Sequence, residues 1–88
     1  MLFELTPKFD SRKSFYGKAK ISFEGDRRLL LSYGTPVAFI DFEVHGNRLP
    51  VLLDGWDSTQ TTLRHVKEFL KQNDLKAESL EQMRRDYA

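Results

Sequence analysis

The chain has 88 residues, 14 of them basic and 13 acidic, which leaves a formal net charge of +1. This length predicts one domain over residues 1–88, with a core too thin for a deep active-site cleft. The balanced charge neither favours nor excludes nucleic acid as a partner. The absence of cysteine excludes disulfides and thiolate chemistry. No apolar run approaches the roughly 20 residues of a membrane span, so we expect a cytoplasmic protein without a membrane partner.

The first three predicted strands lie within residues 1–33. Residues 2–5 predict a short edge strand that ends before Pro7, because proline has no N–H to donate to a sheet. Residues 19–24 alternate between apolar and polar side chains, as a half-buried strand does. Gly25-Asp26 then favours a hairpin turn into a return strand over residues 28–33, whose leucines point to both faces.

Two further segments complete the predicted sheet. Residues 36–43 are almost continuously apolar, which indicates a central strand. Residues 48–53 contain Pro50, which favours an edge position. Because all these segments follow one another through hairpin-like turns, we expect an antiparallel sheet of about four strands.

Residues 56–72 have the strongest helical pattern in the chain, with Ser58 as the predicted N-cap and Asn73 as a left-handed stop. An apolar stripe should face the sheet, formed by Leu63, Val66, Phe69 and Leu70. The charged residues of the other faces should meet water, namely Arg64, Lys67, Glu68 and Lys71. Trp56 is predicted to hold the strand end against the helix start; if exposed, it would instead anchor a protein interface.

A second, shorter helix is predicted near the end of the chain. Ser79 and Gln82 have the spacing of a capping box, although the helix could begin nearer Lys76. Strands followed by helices are typical of the α+β class. We therefore expect an antiparallel sheet followed by two C-terminal helices, the first of them packed on one sheet face.

Several strings taken together resemble a family of small, uncharacterised proteins found on phages, plasmids and integrated elements of Gram-positive bacteria. The resemblance covers residues 12–72 and depends on Ser14-Phe15-Tyr16-Gly17-Lys18-Ala19, Ser32-Tyr33-Gly34-Thr35, Val37-Ala38, Trp56, Ser58, Thr61-Thr62, Arg64-His65, Glu68-Phe69-Leu70 and Gln72. It implies a mobile-element context but carries no catalytic residue, since members have no settled activity. Small proteins of such elements often regulate transfer, bind DNA or disable host defences, including CRISPR nucleases.

The main candidate site is a loop in which cations and aromatic rings are interleaved. It comprises Arg12, Lys13, Phe15, Tyr16, Lys18 and Lys20, with Arg27 and Arg28 as an extension across the hairpin turn. Nucleic acid requires cations for its phosphates and flat rings for unpaired bases, so this pattern favours nucleic-acid binding. In the alternative interpretation, Phe15 and Tyr16 fill the core and the charges only solvate the loop.

A secondary site for an anion or a partner lies on the first turns of the long helix and comprises Thr61, Arg64 and His65. Helix N-termini attract anions, but the alternative, that these residues cap and pack the helix, is the preferred interpretation. His65 is predicted to be a partly buried histidine that is hydrogen-bonded to a sheet residue.

The sequence does not indicate an enzyme, a metal site or a cofactor. No zinc-like spacing is present, and Ser58 and His65 would lie about 10 Å apart on one helix, too far for a catalytic pair. A weak acidic surface that could mimic nucleic acid is formed by Asp41, Glu43, Asp54 and Asp57.

These observations favour a non-catalytic binding module of a mobile genetic element, acting on nucleic acid or on a protein that handles nucleic acid. One alternative is a protein-directed inhibitor of a host defence nuclease. Another is a small structural domain that forms a homodimer over an exposed sheet face or edge.

Overall fold

A computed structural model describes residues 1–42 and 49–88 of the chain. One antiparallel sheet contains five strands in chain order: β1 (Leu2–Glu4), β2 (Ala19–Glu24), β3 (Arg27–Ser32), β4 (Thr35–Asp41) and β5 (Pro50–Leu52). Two helices follow, α1 (Gln60–Gln72) and α2 (Leu80–Tyr87). The predicted α+β class and the order of strands before helices are confirmed, with five strands where about four were expected. No helix in the described part of the chain is long and apolar enough to cross a membrane.

The strand register divides the sheet into a covered face and an uncovered face. Ile21, Leu30 and Ala38 are paired across β2, β3 and β4, and all three are buried toward the helices. Leu29 and Leu31 point to the opposite face and remain partly exposed. The leucine run of β3 could not show which face is covered, because both faces carry leucine; the helices decide this by packing over Leu30.

A bulge in β4 allows a proline to occupy a central strand. Leu30 pairs with Ala38 and Leu31 pairs with Pro36, so Val37 is the extra residue. Val37 and Ala38 are both buried, although adjacent residues of a regular strand face opposite ways. The predicted edge strand with Pro50 is confirmed, since β5 is the last strand of the sheet.

Helix α1 ends at Gln72 with Asn73 as its C-cap, as predicted, whereas its N-cap and its left-handed residue each lie one position later than predicted. The N-cap is Thr59 rather than Ser58, and the Thr59 side chain accepts a hydrogen bond from the Thr62 N–H at 3.0 Å. Asn73 ends the helix with a φ of −108°, and the left-handed residue is Asp74 with a φ of 61°. Asn73 instead uses its side chain, whose Nδ2 donates to the Phe69 carbonyl at 2.7 Å. Both corrections have one cause, because several polar residues at each end could cap the helix and packing selects among them.

The core lies between the covered face of the sheet and both helices. Phe69, Leu70 and Val66 are fully buried, as the apolar stripe predicted, and Met83 of α2 joins the same cluster. Trp56 is 8% exposed, which confirms that it packs between the end of the sheet and the start of α1.

The predicted capping box of α2 is present in altered form. Ser79 is the N-cap and accepts from the Gln82 N–H, while the Gln82 side chain accepts from Glu78 rather than from Ser79.

Candidate functional site

Glu68 attaches the N-terminal segment to α1, and this contact positions the candidate site. Its carboxylate accepts backbone N–H groups from Lys8, Phe9 and Asp10 at 2.8, 3.0 and 2.8 Å, and a fourth hydrogen bond from Gln72 at 2.6 Å. Glu68 is 1% exposed, so the prediction that it meets water is wrong. Burial alone would raise the pKa of Glu68, but the hydrogen bonds outweigh it and hold the pKa below its ordinary value of 4.5.

Asp10 extends this attachment to the basic loop. Its Oδ1 accepts from the backbone N–H of Arg12 at 2.9 Å and from Arg64 Nη1 at 3.3 Å. The main candidate loop and the secondary site on α1 are therefore bridged by one carboxylate. Only one guanidinium nitrogen of Arg64 contacts Asp10, so the rest of the cation remains available to a ligand.

Phe15 and His65 form the floor of the site. Phe15 is 4% exposed, and its ring meets the His65 ring edge-on with centroids 4.6 Å apart. For Phe15 the core-filling interpretation is therefore correct, and the side chain cannot stack on a base. The physical reason is that Phe15 is the only residue of the loop between Lys8 and Lys18 with a fully apolar, buried ring.

His65 is a buried histidine bonded to a sheet residue, as predicted. Its Nδ1 lies 2.8 Å from the Ser32 hydroxyl, which in turn lies 3.2 Å from the Thr62 hydroxyl. Burial lowers the pKa of His65, so the ring is neutral at pH 7. The His65 side chain is only 1% exposed, although it contributes to the lining of the pocket described below.

Two tyrosines project from strained turns above this floor. Tyr16 is 80% and Tyr33 is 57% exposed, with φ angles of 54° and 52°. Each is followed by a glycine that also has a positive φ, Gly17 or Gly34. A left-handed conformation costs a non-glycine residue about 1–2 kcal/mol. The fold maintains this strain twice, and both times it directs an exposed aromatic ring outward.

These elements enclose a pocket of about 210 Å³ that contains both predicted sites. It is lined by Arg12, Ser14, Phe15, Tyr16, Lys18, Tyr33, Thr61, Arg64 and His65. Residues of the N-terminal loop and of α1, which lie far apart in the sequence, thus form a single surface. The polar groups at its rim and floor are cations, hydroxyls and the neutral ring of His65.

Two neighbouring depressions extend this pocket in opposite directions. One of about 520 Å³ shares Lys18 and Tyr33 with the pocket and reaches toward the uncovered face of the sheet. The other, of about 470 Å³, shares Arg64 and includes the exposed ring of Phe9. We call the combined surface the basic track and define it by Lys18, Tyr33, Tyr16, Arg12, Arg64, Phe9, Lys67 and Lys71.

Four residues of the track are absent from the sequence-based sites. The dipeptide Tyr33-Gly34 repeats Tyr16-Gly17, and this repetition could have indicated a second exposed aromatic ring at the site. Lys67 and Lys71 continue the stripe of Arg64 at helical spacing and could have been included on that ground. Phe9 is interleaved with the cations of the same loop, but its place beside α1 depends on the hydrogen bonds of this segment to Glu68.

Arg27 and Arg28 do not extend the patch, and this part of the prediction is corrected. They start β3, whereas the pocket lies at its other end, and six strand residues span about 20 Å. Arg27 bonds Asp41 at 2.7 Å and stacks on Phe39, whereas Arg28 bonds Asn73 at 2.6 Å. The two arginines follow the hairpin turn between β2 and β3. This turn lies at the end of the sheet opposite the basic loop, because the loop precedes the start of β2.

Two other predicted residues lie beside the track. Lys13 is exposed in the loop and outside the three depressions. Lys20 pairs with Leu31 in the sheet register and lies on the uncovered face, at the outer end of the track.

Two of the four residues of the predicted acidic surface are ion-paired, whereas Asp54 is exposed and makes no ion pair with a described residue. Asp41 is ion-paired with Arg27, and Asp57 with Arg84 at 2.9 Å. Glu43 lies outside the described residues, so its place in this surface is not described. Within the described ranges, no group of three or more metal-binding side chains could hold an ion.

A comparison with known proteins identifies one family. A family of unknown function (DUF8033) matches residues 3–85. No curated protein and no solved structure shows significant similarity to the chain.

Proposed function

This chain belongs to that family of unknown function, and we propose that it is a non-catalytic module that binds single-stranded nucleic acid through the basic track. The observation that carries the proposal is the alternation of exposed rings and cations along one continuous surface. Unpaired bases stack on aromatic side chains, while the cations contact the backbone phosphates.

The tyrosines favour single strands over duplexes. A ring that projects into solvent can stack only on a base whose flat face is accessible, and duplex bases are already stacked on each other. Tyr16 and Tyr33 both line the central pocket, above the floor that Phe15 and His65 form.

The cations of the track attract a polyanion although the chain as a whole is not strongly basic. Five cations lie along the track (Lys18, Arg12, Arg64, Lys67 and Lys71) against the two carboxylates of Asp10 and Glu68, although the whole chain carries a formal charge of only +1. The charge is therefore unevenly distributed, and a local positive potential attracts a polyanion even when the net charge is small.

The cellular context of this proposal rests on the sequence resemblance alone. Cytoplasmic action on behalf of a phage, plasmid or integrated element would bring the protein into contact with single strands during transfer or replication. Inhibition of a host nuclease by an acidic surface is not favoured by the described residues, since Asp41 and Asp57 are each paired with an arginine.

The test is a fluorescence anisotropy titration with a labelled oligonucleotide as single-stranded DNA, single-stranded RNA and duplex DNA at low salt. Tyr16→Asn removes the ring but tolerates the left-handed backbone, and we expect it to raise the Kd for single strands about tenfold. Tyr16→Phe keeps the ring and should bind within about threefold of the natural protein.

A charge pair completes the design. Lys18→Glu should weaken binding about tenfold, whereas Arg85→Glu on the exposed side of α2 should change it less than about twofold. Absence of binding at low salt, a preference for the duplex, or equal losses in Lys18→Glu and Arg85→Glu would contradict the proposal.

A further inference from the structure

The uncovered face of the sheet carries an apolar row between two charged rows. The strand register aligns the central row, which contains Leu2, Ser22, Leu29, Phe39 and Val51. One flanking row contains Glu24, Arg27 and Asp41, and the other contains Glu4, Lys20, Leu31 and Pro36. Paired residues of antiparallel strands point to the same side, so these three rows form one surface.

This surface is apolar at its centre, and no helix or loop of the described residues covers it; only the Arg27 guanidinium lies over the Phe39 ring, 3.9 Å from its centroid. Leu2 is 53% and Val51 42% exposed, and Leu29, Leu31 and Phe39 are partly exposed. None of these five side chains packs with the core cluster, which lies on the other side of the sheet. Contiguous apolar patches of this kind on soluble proteins usually mark an interaction site.

The face is a better candidate than the sheet edges for that interaction. Both edge strands, β1 and β5, have only three residues, and β5 begins with a proline. A short edge offers few free backbone groups for pairing with another chain. The central strands β2, β3 and β4 have six or seven residues each, and three residues of each strand lie on the uncovered face.

The order of charges in the flanking rows points to a second copy of this chain as the occupant. Consider a two-fold axis that runs along the apolar row, perpendicular to the strands. It places each strand over the same strand of the second copy, and each flanking row over the other flanking row of that copy. Glu24 then faces Lys20 of the second copy, and the symmetry makes this pair twice. An axis along β3 would instead place Glu24 against Asp41, which is repulsive.

We propose that two copies pack face to face through the uncovered sheet, with the Leu29 row at the centre and reciprocal Glu24–Lys20 pairs at the margin. The strands of the two sheets would cross at about 30°, as in aligned sandwiches. The sheet is about 20 Å wide and its central strands are about 20 Å long. This area is at the small end for a dimer, so we expect a Kd in the micromolar range. The contact overlaps the basic track at the depression of about 520 Å³, which Leu2, Lys20 and Leu31 help to line, whereas the central pocket lies outside it.

The test is sedimentation equilibrium from about 1 to about 200 µM protein without nucleic acid, so that it is independent of the proposed function. Glu24→Lys and Lys20→Glu should each raise the dimer Kd about tenfold, because each creates two like-charge contacts. The double variant Glu24→Lys with Lys20→Glu restores opposite charges and should return the Kd to within about threefold of the natural value.

Two apolar variants test the centre of the face. Leu29→Glu and Val51→Glu should each abolish the dimer, and circular dichroism would show whether the monomer is folded. Val51 lies on the three-residue edge strand, so its substitution is the milder one for the fold. Arg85→Glu on α2 serves as the control and should leave the dimer Kd within about twofold.

Three results would overturn the proposal: a monomer throughout the concentration range, a dimer that survives Val51→Glu in a folded protein, or a double variant as weak as the single variants. A dimer that binds no oligonucleotide would support this inference while contradicting the nucleic-acid proposal. Oligonucleotide binding by a strict monomer would do the reverse.

Discussion

At the scale of single residues, Glu68 holds the N-terminal segment against α1 beside the basic track. Its ionised carboxylate accepts three successive backbone N–H groups of the N-terminal segment. Glu68→Gln keeps the size but replaces one acceptor oxygen with a donor. We expect the free energy of unfolding at pH 7 to fall by about 2–3 kcal/mol, because hydrogen bonds to ionised groups are the strong ones. Urea unfolding followed by Trp56 fluorescence measures this change.

The control for this substitution is Glu81→Gln, which changes an exposed carboxylate on α2 and should alter stability by less than about 0.5 kcal/mol. The pKa of Glu68 in the folded protein lies below 4.5, so its stabilising effect is present above that pH and is lost as the pH falls through the folded pKa. The difference between the natural protein and Glu68→Gln should therefore shrink in acid. If the stability difference between the two proteins stayed constant with pH, the shape of the Glu68 side chain and not its charge would be the source of the stabilisation.

His65 should give the free energy of unfolding a second dependence on pH. Burial, the largest cause, lowers the pKa of His65 below its ordinary value of 6.5, so the unfolded chain takes up a proton before the folded chain does. The free energy of unfolding should decline as the pH falls below 6.5 toward the folded pKa. His65→Asn keeps an acceptor for the Ser32 hydroxyl but cannot titrate, so this decline should flatten even if the variant is less stable overall. Equal slopes for both proteins in urea titrations would rule out this origin.

At the scale of one element, two adjacent hydroxyl residues at the start of α1 have different roles. Thr59 caps the helix, whereas Ser58 is exposed and precedes the cap. Thr59→Ala leaves the Thr62 N–H without its partner and should cost about 1 kcal/mol of stability. Ser58→Ala is the matched control and should cost no more than a few tenths of a kcal/mol. Thermal unfolding measures the stability of both variants. A larger loss in Ser58→Ala than in Thr59→Ala would mean that Ser58 is the N-cap.

The same helix explains why a charged residue can lie on a buried face. The apolar stripe of α1 packs on the sheet, but the N-terminal segment crosses the helix beside it and covers Glu68. A helical pattern shows which residues share a face, and it does not show which chain segment will later cover that face.

At the scale of the whole molecule, the uneven charge distribution should be visible in the salt dependence of binding. Five cations along the track predict that log K for a single-stranded oligonucleotide falls with log[KCl] at a slope of about −3. Lys67→Glu should reduce the steepness by about one unit, and Arg85→Glu should leave it unchanged. Anisotropy titrations at several salt concentrations provide both slopes, and a slope near zero for the natural protein would exclude phosphate contacts as the source of affinity.

Much of the fold was accessible from the sequence because its determinants are local. Alternation in residues 19–24, the Gly25-Asp26 turn and the spacing of Val66, Phe69 and Leu70 depend on neighbours within a few residues. The α+β class followed from the order of these segments along the chain. Two parts of the candidate site, the basic loop and the start of α1, were likewise identified from composition.

The sequence by itself determined the strands, the helices, most of the core and the two halves of the candidate site, since each depends on short-range periodicity. Only the tertiary structure decided that Glu68 is buried, that Phe15 belongs to the floor, and that Tyr16, Tyr33 and Arg64 meet in one pocket. These outcomes depend on contacts between residues far apart in the chain. Such contacts arise when the sheet and α1 pack together, and no local pattern encodes them.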